Sequence, residues 1–192
     1  MIVPIVEGHA ERESIPLLIR RVLQEHNIHR VQVRPGLRVP RDKLVKLGEI
    51  ERYVQYARQQ PGAQAITVII DADNDCPKTL GPQLLARSTP VAPGFHLSVV
   101  LAKIELEAWF IAGIESLRGT RGIRQDAIPP EDPEVIRDAQ GWLTTHMLRG
   151  RTYIPVDDQA SFAQAFDYAA AATRSRSLRK FIKDIAQIGA AL

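Results

Sequence analysis

Three stretches of this chain carry carboxylates at spacings that suit chemistry. In Ile66-Thr-Val-Ile-Ile-Asp71-Ala-Asp73-Asn-Asp75-Cys-Pro77, a run of mostly β-branched residues stops at an acidic D-x-D-x-D. The run predicts a buried strand with the acids at its carboxyl end, the end at which open α/β sheets bind ligands. Residues two apart on an extended chain point the same way. Asp71 and Asp73 are therefore expected to face one spot, with Asp75 beginning to turn away. Crowded carboxylates repel unless a cation or a shared proton relieves them, and a hard cation such as Mg²⁺ prefers carboxylate oxygens and water. The competing reading is a solvated acidic turn, in which Asp and Asn bond their own backbone.

The other two stretches also follow apolar runs. Glu7 comes straight after Ile2 to Val6, and Glu105 and Glu107 follow Phe95 to Ala102 in Lys103-Ile-Glu105-Leu-Glu107-Ala-Trp109. In a parallel sheet all three strand ends reach one edge, and acids at three of four ends favour a cation site. If Glu105 and Glu107 were both helical they would lie about 200° apart and could not both face it. If the strand continued to Glu105, both could. The alternative for one of them is an exposed first-turn residue favoured by the helix dipole. Gly8 permits a tight turn after the first strand, and His9 is expected to face solvent. Glu11 and Glu13 suit the first turn of a helix. Lys103 can offset site charge or contact a phosphate. Cys76 is read as a packed small residue rather than a nucleophile, since no His-based dyad accompanies it.

The elements that must hold these residues follow from hydrophobic spacing. Strands are predicted at Ile2 to Val6, Val31 to Val33, Ala65 to Ile70 and Phe95 to Ala102. Helices are predicted at about Glu11 to His26, Asp42 to Gln59 and Gly81 to Ala86, and from near Ile104. This alternation argues for an α/β fold: a mostly parallel four-stranded sheet with helices on both faces. After Gly113 the pattern changes. Residues 118 to 133 are rich in Gly, Pro and charge, and helical segments follow at about Pro133 to Arg149, Ser161 to Thr173 and Ser177 to Ala190. The chain thus divides into an α/β core over 1–115 and a C-terminal helical segment over 116–192, expected to pack on the core as one compact domain.

Composition sets outer bounds. With 192 residues, 45% hydrophobic and 24% charged, the chain suits a soluble globular domain. No apolar run reaches the roughly 20 residues of a membrane span, and the N-terminus has neither the basic region nor the cleavage site of a signal peptide. A single cysteine excludes an intramolecular disulfide, and a cytoplasmic location is expected. Net charge is only +3, yet 19 of the 25 basic residues are Arg, whose forked guanidinium matches phosphate. Arg118, Arg121 and Arg124, and the cluster Arg174, Arg176 and Arg179, are candidate phosphate contacts. Arg-rich composition can equally reflect a GC-rich genome.

Val6-Glu7-Gly8-His9-Ala10-Glu11 followed by Asp71-Ala-Asp73 resembles the Toprim domain of topoisomerases, primases and overcoming-lysogenization-defect nucleases. Within that superfamily the chain resembles an uncharacterised prokaryotic family, domain of unknown function 4276. The resemblance rests on V-E-G-x-x-E, on D-A-D-x-D-C-P at Asp71 to Pro77 and on E-A-W at Glu107 to Trp109, with weaker matches at Asp158-Gln159 and Ser175-Arg-Ser-Leu-Arg179. It implies a Toprim-like sheet and Mg²⁺ (or Mn²⁺), one or two ions, held by Glu7, Asp71, Asp73 and Glu107. Glu105 and Asp75 are further metal candidates, and Gly8 and Glu11 play supporting roles. Glu7, Glu107 and Lys103 are the expected catalytic groups. The implied activity is a phosphodiester hydrolase, a nuclease, acting on nucleic acid (DNA before RNA) in a mobile-element or defence context beside an ATPase partner. The alternative is a non-catalytic or partner-dependent nucleic-acid-binding subunit of the same fold. A haloacid-dehalogenase-type phosphatase also uses D-x-D, but after its first strand, where this chain has Glu7.

Overall fold

The computed structural model describes residues 1–192. Four strands, β1 (Ile2–Val6), β2 (Leu37–Arg38), β3 (Ala65–Asp71) and β4 (His96–Ala102), form one sheet in the order β2-β1-β3-β4, with every pairing parallel. Nine α-helices accompany them: α1 (Glu11–Glu25), α2 (Arg41–Leu44), α3 (Glu49–Arg58), α4 (Pro77–Ser88), α5 (Ala108–Ala112), α6 (Ala139–Thr145), α7 (Pro155–Ala165), α8 (Tyr168–Arg174) and α9 (Arg176–Ala191). None is long and apolar enough to cross a membrane. The α/β architecture with a C-terminal helical segment is the one the sequence predicts.

Alternation along the strands sorts the core into two layers. Ile2, Val6, Ala65, Ile69, Val100 and Ala102 belong to a cluster of 35 buried residues that also takes in α1, α5 and α9. Val3, Ile5, Ile66, Val68, Ile70, Val99 and Leu101 join a smaller cluster with Ile50, Val54 and Leu84 of α3 and α4. The larger cluster runs from Ile2 to Ile188, so one core spans the division at residue 115.

Several boundaries differ from expectation, each for a local reason. The second strand is not Val31 to Val33. Val33 makes a single bridge to Ile2, and Leu37–Arg38 pairs with Ile5 and Val6 instead. Pro35 has no N–H to continue the first pairing, and Gly36 carries the chain close across its neighbours. The helix expected from Asp42 to Gln59 is broken at Gly48, which takes φ +83°, a conformation that ends helices. Helix α4 starts earlier than Gly81, because Pro77 suits the first helical position. No helix starts at Ile104, whose φ of +63° is incompatible with one.

The segment from Pro133 to Arg149 is not one helix. It makes a 3₁₀ turn at Pro133–Val135 and then α6, capped by Asp138 accepting from the Gly141 N–H. The helix expected from Ser161 to Thr173 is two. Helix α7 starts at Pro155, and Asp167 caps α8 by accepting from the Ala170 N–H. Ser175 caps α9 through the Leu178 N–H.

Gly36 tests the rerouted second strand. A Cβ there would lie 2.9 Å from Val6 Cγ2 and 3.1 Å from Arg12 Cα. Gly36→Ala is expected to destabilise the fold by about 1–3 kcal/mol in urea unfolding. An unchanged midpoint would show that the β2 approach is not tight.

Candidate functional site

The site is built at the carboxyl edge of the sheet, starting with the loop after β1. Burial of β1 delivers Glu7 to this edge. Its Oε2 accepts from the backbone N–H of Asp71 at 3.2 Å, which ties the ends of β1 and β3 together. Glu11 lies in the first turn of α1, but it does more than favour a helix dipole. It is buried, and its Oε2 accepts from the N–H groups of Glu7 (2.9 Å) and Gly8 (3.1 Å). Gly8 has room for this carboxylate only because it lacks a Cβ, which would sit 2.8 Å from Glu11 Oε1. V-E-G-x-x-E is therefore a closed loop in which the second Glu holds the first in place. His9 and Glu13 face solvent.

Asp71, Asp73 and Asp75 part company. Asp71 keeps the strand alternation of Ile69 and points toward the larger core layer. Its Oδ1 accepts from the Leu106 N–H at 2.8 Å. Asp73 has φ +48°, which breaks the period of two, and its exposed carboxylate lies 3.3 Å from Arg41 Nε. Asp75 also pairs with Arg41. Arg41 further donates to the carbonyls of Asp71 (2.8 Å) and Ala72 (3.1 Å). Asp71 and Asp73 thus do not face one spot: one is inside the site and the other sits at its rim with Asp75. Arg41 was not legible as a site residue, since it lies on α2 beyond a Pro-Gly break, with no motif.

The turn after β4 supplies the third side. Glu105 precedes the helix, while Glu107 is its N-cap, with helical angles (φ −57°, ψ −21°) and a carbonyl that accepts from the Ile111 N–H at 3.0 Å, so the two are not set about 200° apart by one helix. Glu107 is buried, and its Oε1 accepts from Tyr153 OH (3.2 Å) and Gln159 Nε2 (3.3 Å). Gln159 Oε1 in turn accepts from Ser14 of α1 at 2.6 Å. Glu105 is half-buried and accepts from the Ala139 N–H at the start of α6 at 3.2 Å. Lys103 donates its backbone N–H to Ser177 Oγ at 3.3 Å, and no hydrogen bond or ion pair occupies its ammonium. Tyr153 has no sequence signal. Gln159 lies in the Asp158-Gln159 match, and Asp158 pairs with Arg121.

Burial and mutual repulsion act on these acids in one direction. Burial raises the Glu11 pKa from 4.5 to about 7 against the pull of the Gly8 and Glu7 N–H groups. Asp71 is pushed well above the usual carboxylate range by burial, then by Glu11, Glu107 and Glu7. Glu7 and Glu107 are raised mainly by burial, and Glu105 by burial and then by Glu107. No three side chains of His, Cys, Asp or Glu converge as a ready-made cage. The donor set nonetheless suits a hard cation. Glu7, Glu11, Asp71 and Glu107 each bond through one oxygen, and no protein group donates to the other. The buried side-chain atoms without a partner are Thr67 Oγ1 and Tyr168 OH alone, so the second carboxylate oxygens reach accessible space.

Five of the six arginine candidates are tied down within the chain, and Arg176 is exposed with no hydrogen bond or ion pair. Arg118 donates to the Ala127 carbonyl, Arg121 to Asp158 and the Asp157 carbonyl, and Arg124 to Asp126. Arg174 pairs with Glu115, and Arg179 donates to the carbonyls of Ala172 and Thr173. Cys76 is not packed. It is exposed at the N-cap of α4, and the Thr79 hydroxyl and the N–H groups of Lys78 and Thr79 lower its thiol pKa.

Fold and site define an α/β protein with a parallel sheet whose carboxyl edge is crowded with buried and half-buried carboxylates. The chain belongs to the family described as Domain of unknown function (DUF4276), whose model matches residues 6–186. No curated protein and no solved structure gives a match.

The raised carboxylates fix a pH dependence. Their native forms hold protons more tightly than the unfolded chain, so they contribute stability at low pH that is lost as pH rises. For Glu11 the loss falls between 4.5 and about 7. In EDTA, the unfolding midpoint is expected to be lower at about pH 8 than at about pH 5, and Glu11→Gln should flatten the difference. A higher wild-type midpoint at the alkaline end would contradict the crowding described here.

Proposed function

We propose that this chain is a Toprim-type, divalent-cation-dependent phosphodiester hydrolase acting on nucleic acid. One observation carries the reading: four carboxylates from three chain segments, Glu11 and Glu107 buried and Glu7 and Asp71 half-buried, crowd the carboxyl edge of a parallel sheet closely enough that the others raise the Asp71 pKa, and each has an oxygen that no protein donor uses. Such crowding is costly without a compensating cation. Glu7, Asp71 and Glu107 would hold Mg²⁺ or Mn²⁺, with Asp73, Glu105 and Asp75 at the rim. A cation bound there supplies charge stabilisation at a phosphate and makes water more acidic.

The protein's own groups do the rest. Glu7 lies at the turn of the first loop and accepts a proton from attacking water. Glu11 keeps Glu7 and Gly8 in place. The free ammonium of Lys103 offers a point charge to a phosphate oxygen. Arg41 holds Asp73 and Asp75 against the end of β3 and keeps the rim in one conformation. DNA is the favoured substrate over RNA, and the family resemblance implies an ATPase partner.

The test is cleavage of single- and double-stranded DNA and RNA with Mg²⁺, Mn²⁺ or EDTA. Wild type is expected to cut only with metal, and Asp71→Ala and Glu7→Ala are each expected to lose at least about 100-fold, since several kcal/mol of charge stabilisation disappears. Folded wild type that binds nucleic acid in EDTA but never cuts would point to a binding subunit that acts with its partner.

A further inference from the structure

Glu134 is a buried acid that the proposed chemistry does not use, and it lies in the C-terminal segment. Its Oε1 accepts three hydrogen bonds from the start of α9: Ser175 Oγ at 2.7 Å, Ser177 N at 2.9 Å and Ser177 Oγ at 2.6 Å. No lysine or arginine pairs with it. A buried carboxylate without a cation is costly to keep, so its hydrogen bonds must matter to something beyond packing.

Ser177 shows where they lead. A hydroxyl has one proton to give and two lone pairs to receive. Ser177 gives its proton to Glu134, which turns its lone pairs toward two other donors. These are the indole Nε1–H of Trp109 at 2.8 Å and the backbone N–H of Lys103 at 3.3 Å. Lys103 and Trp109 bracket the turn that carries Glu105 and Glu107.

That turn has internal bonds, from the Glu105 N–H to the Lys103 carbonyl at 3.0 Å and from the Ala108 N–H to the Glu105 carbonyl at 3.2 Å, but its backbone is strained. Ile104 is β-branched yet has φ +63°, a conformation that persists only when its surroundings impose it. Two restraints come from the end of β3 and the loop after it: the Asp73 N–H donates to the Ile104 carbonyl at 3.0 Å, and the Leu106 N–H donates to Asp71. The Ser177 hydroxyl supplies the restraint from the opposite side.

We infer that Glu134, acting through Ser177, is a positioning residue that sets the Lys103–Trp109 turn so that Glu105 and Glu107 face the acidic edge. This rests on the reading of that edge as a cation site. The relay also gives Ser175-Arg-Ser-Leu-Arg179 a role: its two serines hold a carboxylate of this same chain.

The experiment compares wild type, Glu134→Gln, Ser177→Ala and Ser177→Thr, with Ile188→Val as a core variant of lowered stability remote from the turn. NMR follows the Trp109 indole N–H and the Lys103 amide in metal-free protein, and calorimetry follows Mn²⁺ binding. Glu134→Gln and Ser177→Ala are expected to shift the Trp109 indole resonance and speed exchange at Lys103. They should weaken Mn²⁺ about 10- to 100-fold, as outer contacts to metal ligands do. Ser177→Thr, which keeps the hydroxyl, should restore both, and Ile188→Val should change neither. Unchanged Trp109 and Lys103 signals in Glu134→Gln would overturn the relay, as would altered signals with unaltered Mn²⁺ affinity. If wild type binds no Mn²⁺, the cation reading fails and takes the positioning of metal ligands with it. The NMR signals then still decide whether Glu134 holds the turn.

Discussion

The parallel pairing of β1 with β3 and of β3 with β4 is the constraint from which the rest follows. Val6 lies opposite Ile69, Ile69 opposite Val100, and Asp71 opposite Ala102. With all strands running the same way, whatever follows each one is delivered to the same edge. In this chain that is Glu7, then Asp71, then Glu105 and Glu107. The hydrogen bond from the Asp71 N–H to Glu7 shows how closely the strand ends are joined. Apolar burial in the two layers outweighs the repulsion this creates, and so holds the acids where they would not gather by themselves.

The repulsion is met by hydrogen bonds rather than by buried cations. Backbone N–H groups of Glu7, Gly8, Leu106 and Asp71 point at carboxylate oxygens, and Tyr153 and Gln159 serve Glu107. Each bond fixes one oxygen and leaves its twin without a protein donor. The sole arginine against the acids, Arg41, stays at the rim with Asp73 and Asp75. The outer acids are therefore partly neutralised, one guanidinium against two carboxylates, while each inner one keeps an oxygen that no protein donor uses.

The C-terminal segment is a wall of this site, not an attachment to it. Tyr153 and Gln159 reach Glu107, Ala139 meets Glu105, Arg137 donates to Asn74, and Ser177 grips the Lys103–Trp109 turn. The shared core from Ile2 to Ile188 makes these contacts part of folding itself. Loss of the segment would remove partners of buried polar groups along with apolar area.

The sequence alone determined the α/β alternation with a parallel sheet and the edge at which Glu7, Asp71 and Glu107 gather. Period-two burial and acids at strand ends are local patterns, and local patterns survive in a linear string. It also marked Gly8 and Glu11, although not the hydrogen bonds that join them. Only the tertiary structure decided that Asp73 turns outward to Arg41, that Glu105 precedes the helix which Glu107 caps, and that Gly48 splits a helix. It alone decided that Arg118, Arg121 and Arg124 are spent on internal partners, and that Tyr153, Gln159, Glu134 and Ser177 support the site. These depend on positive backbone angles and on contacts between residues far apart in the chain, such as Ser14 with Gln159. Such contacts exist only once the sheet has brought distant segments together.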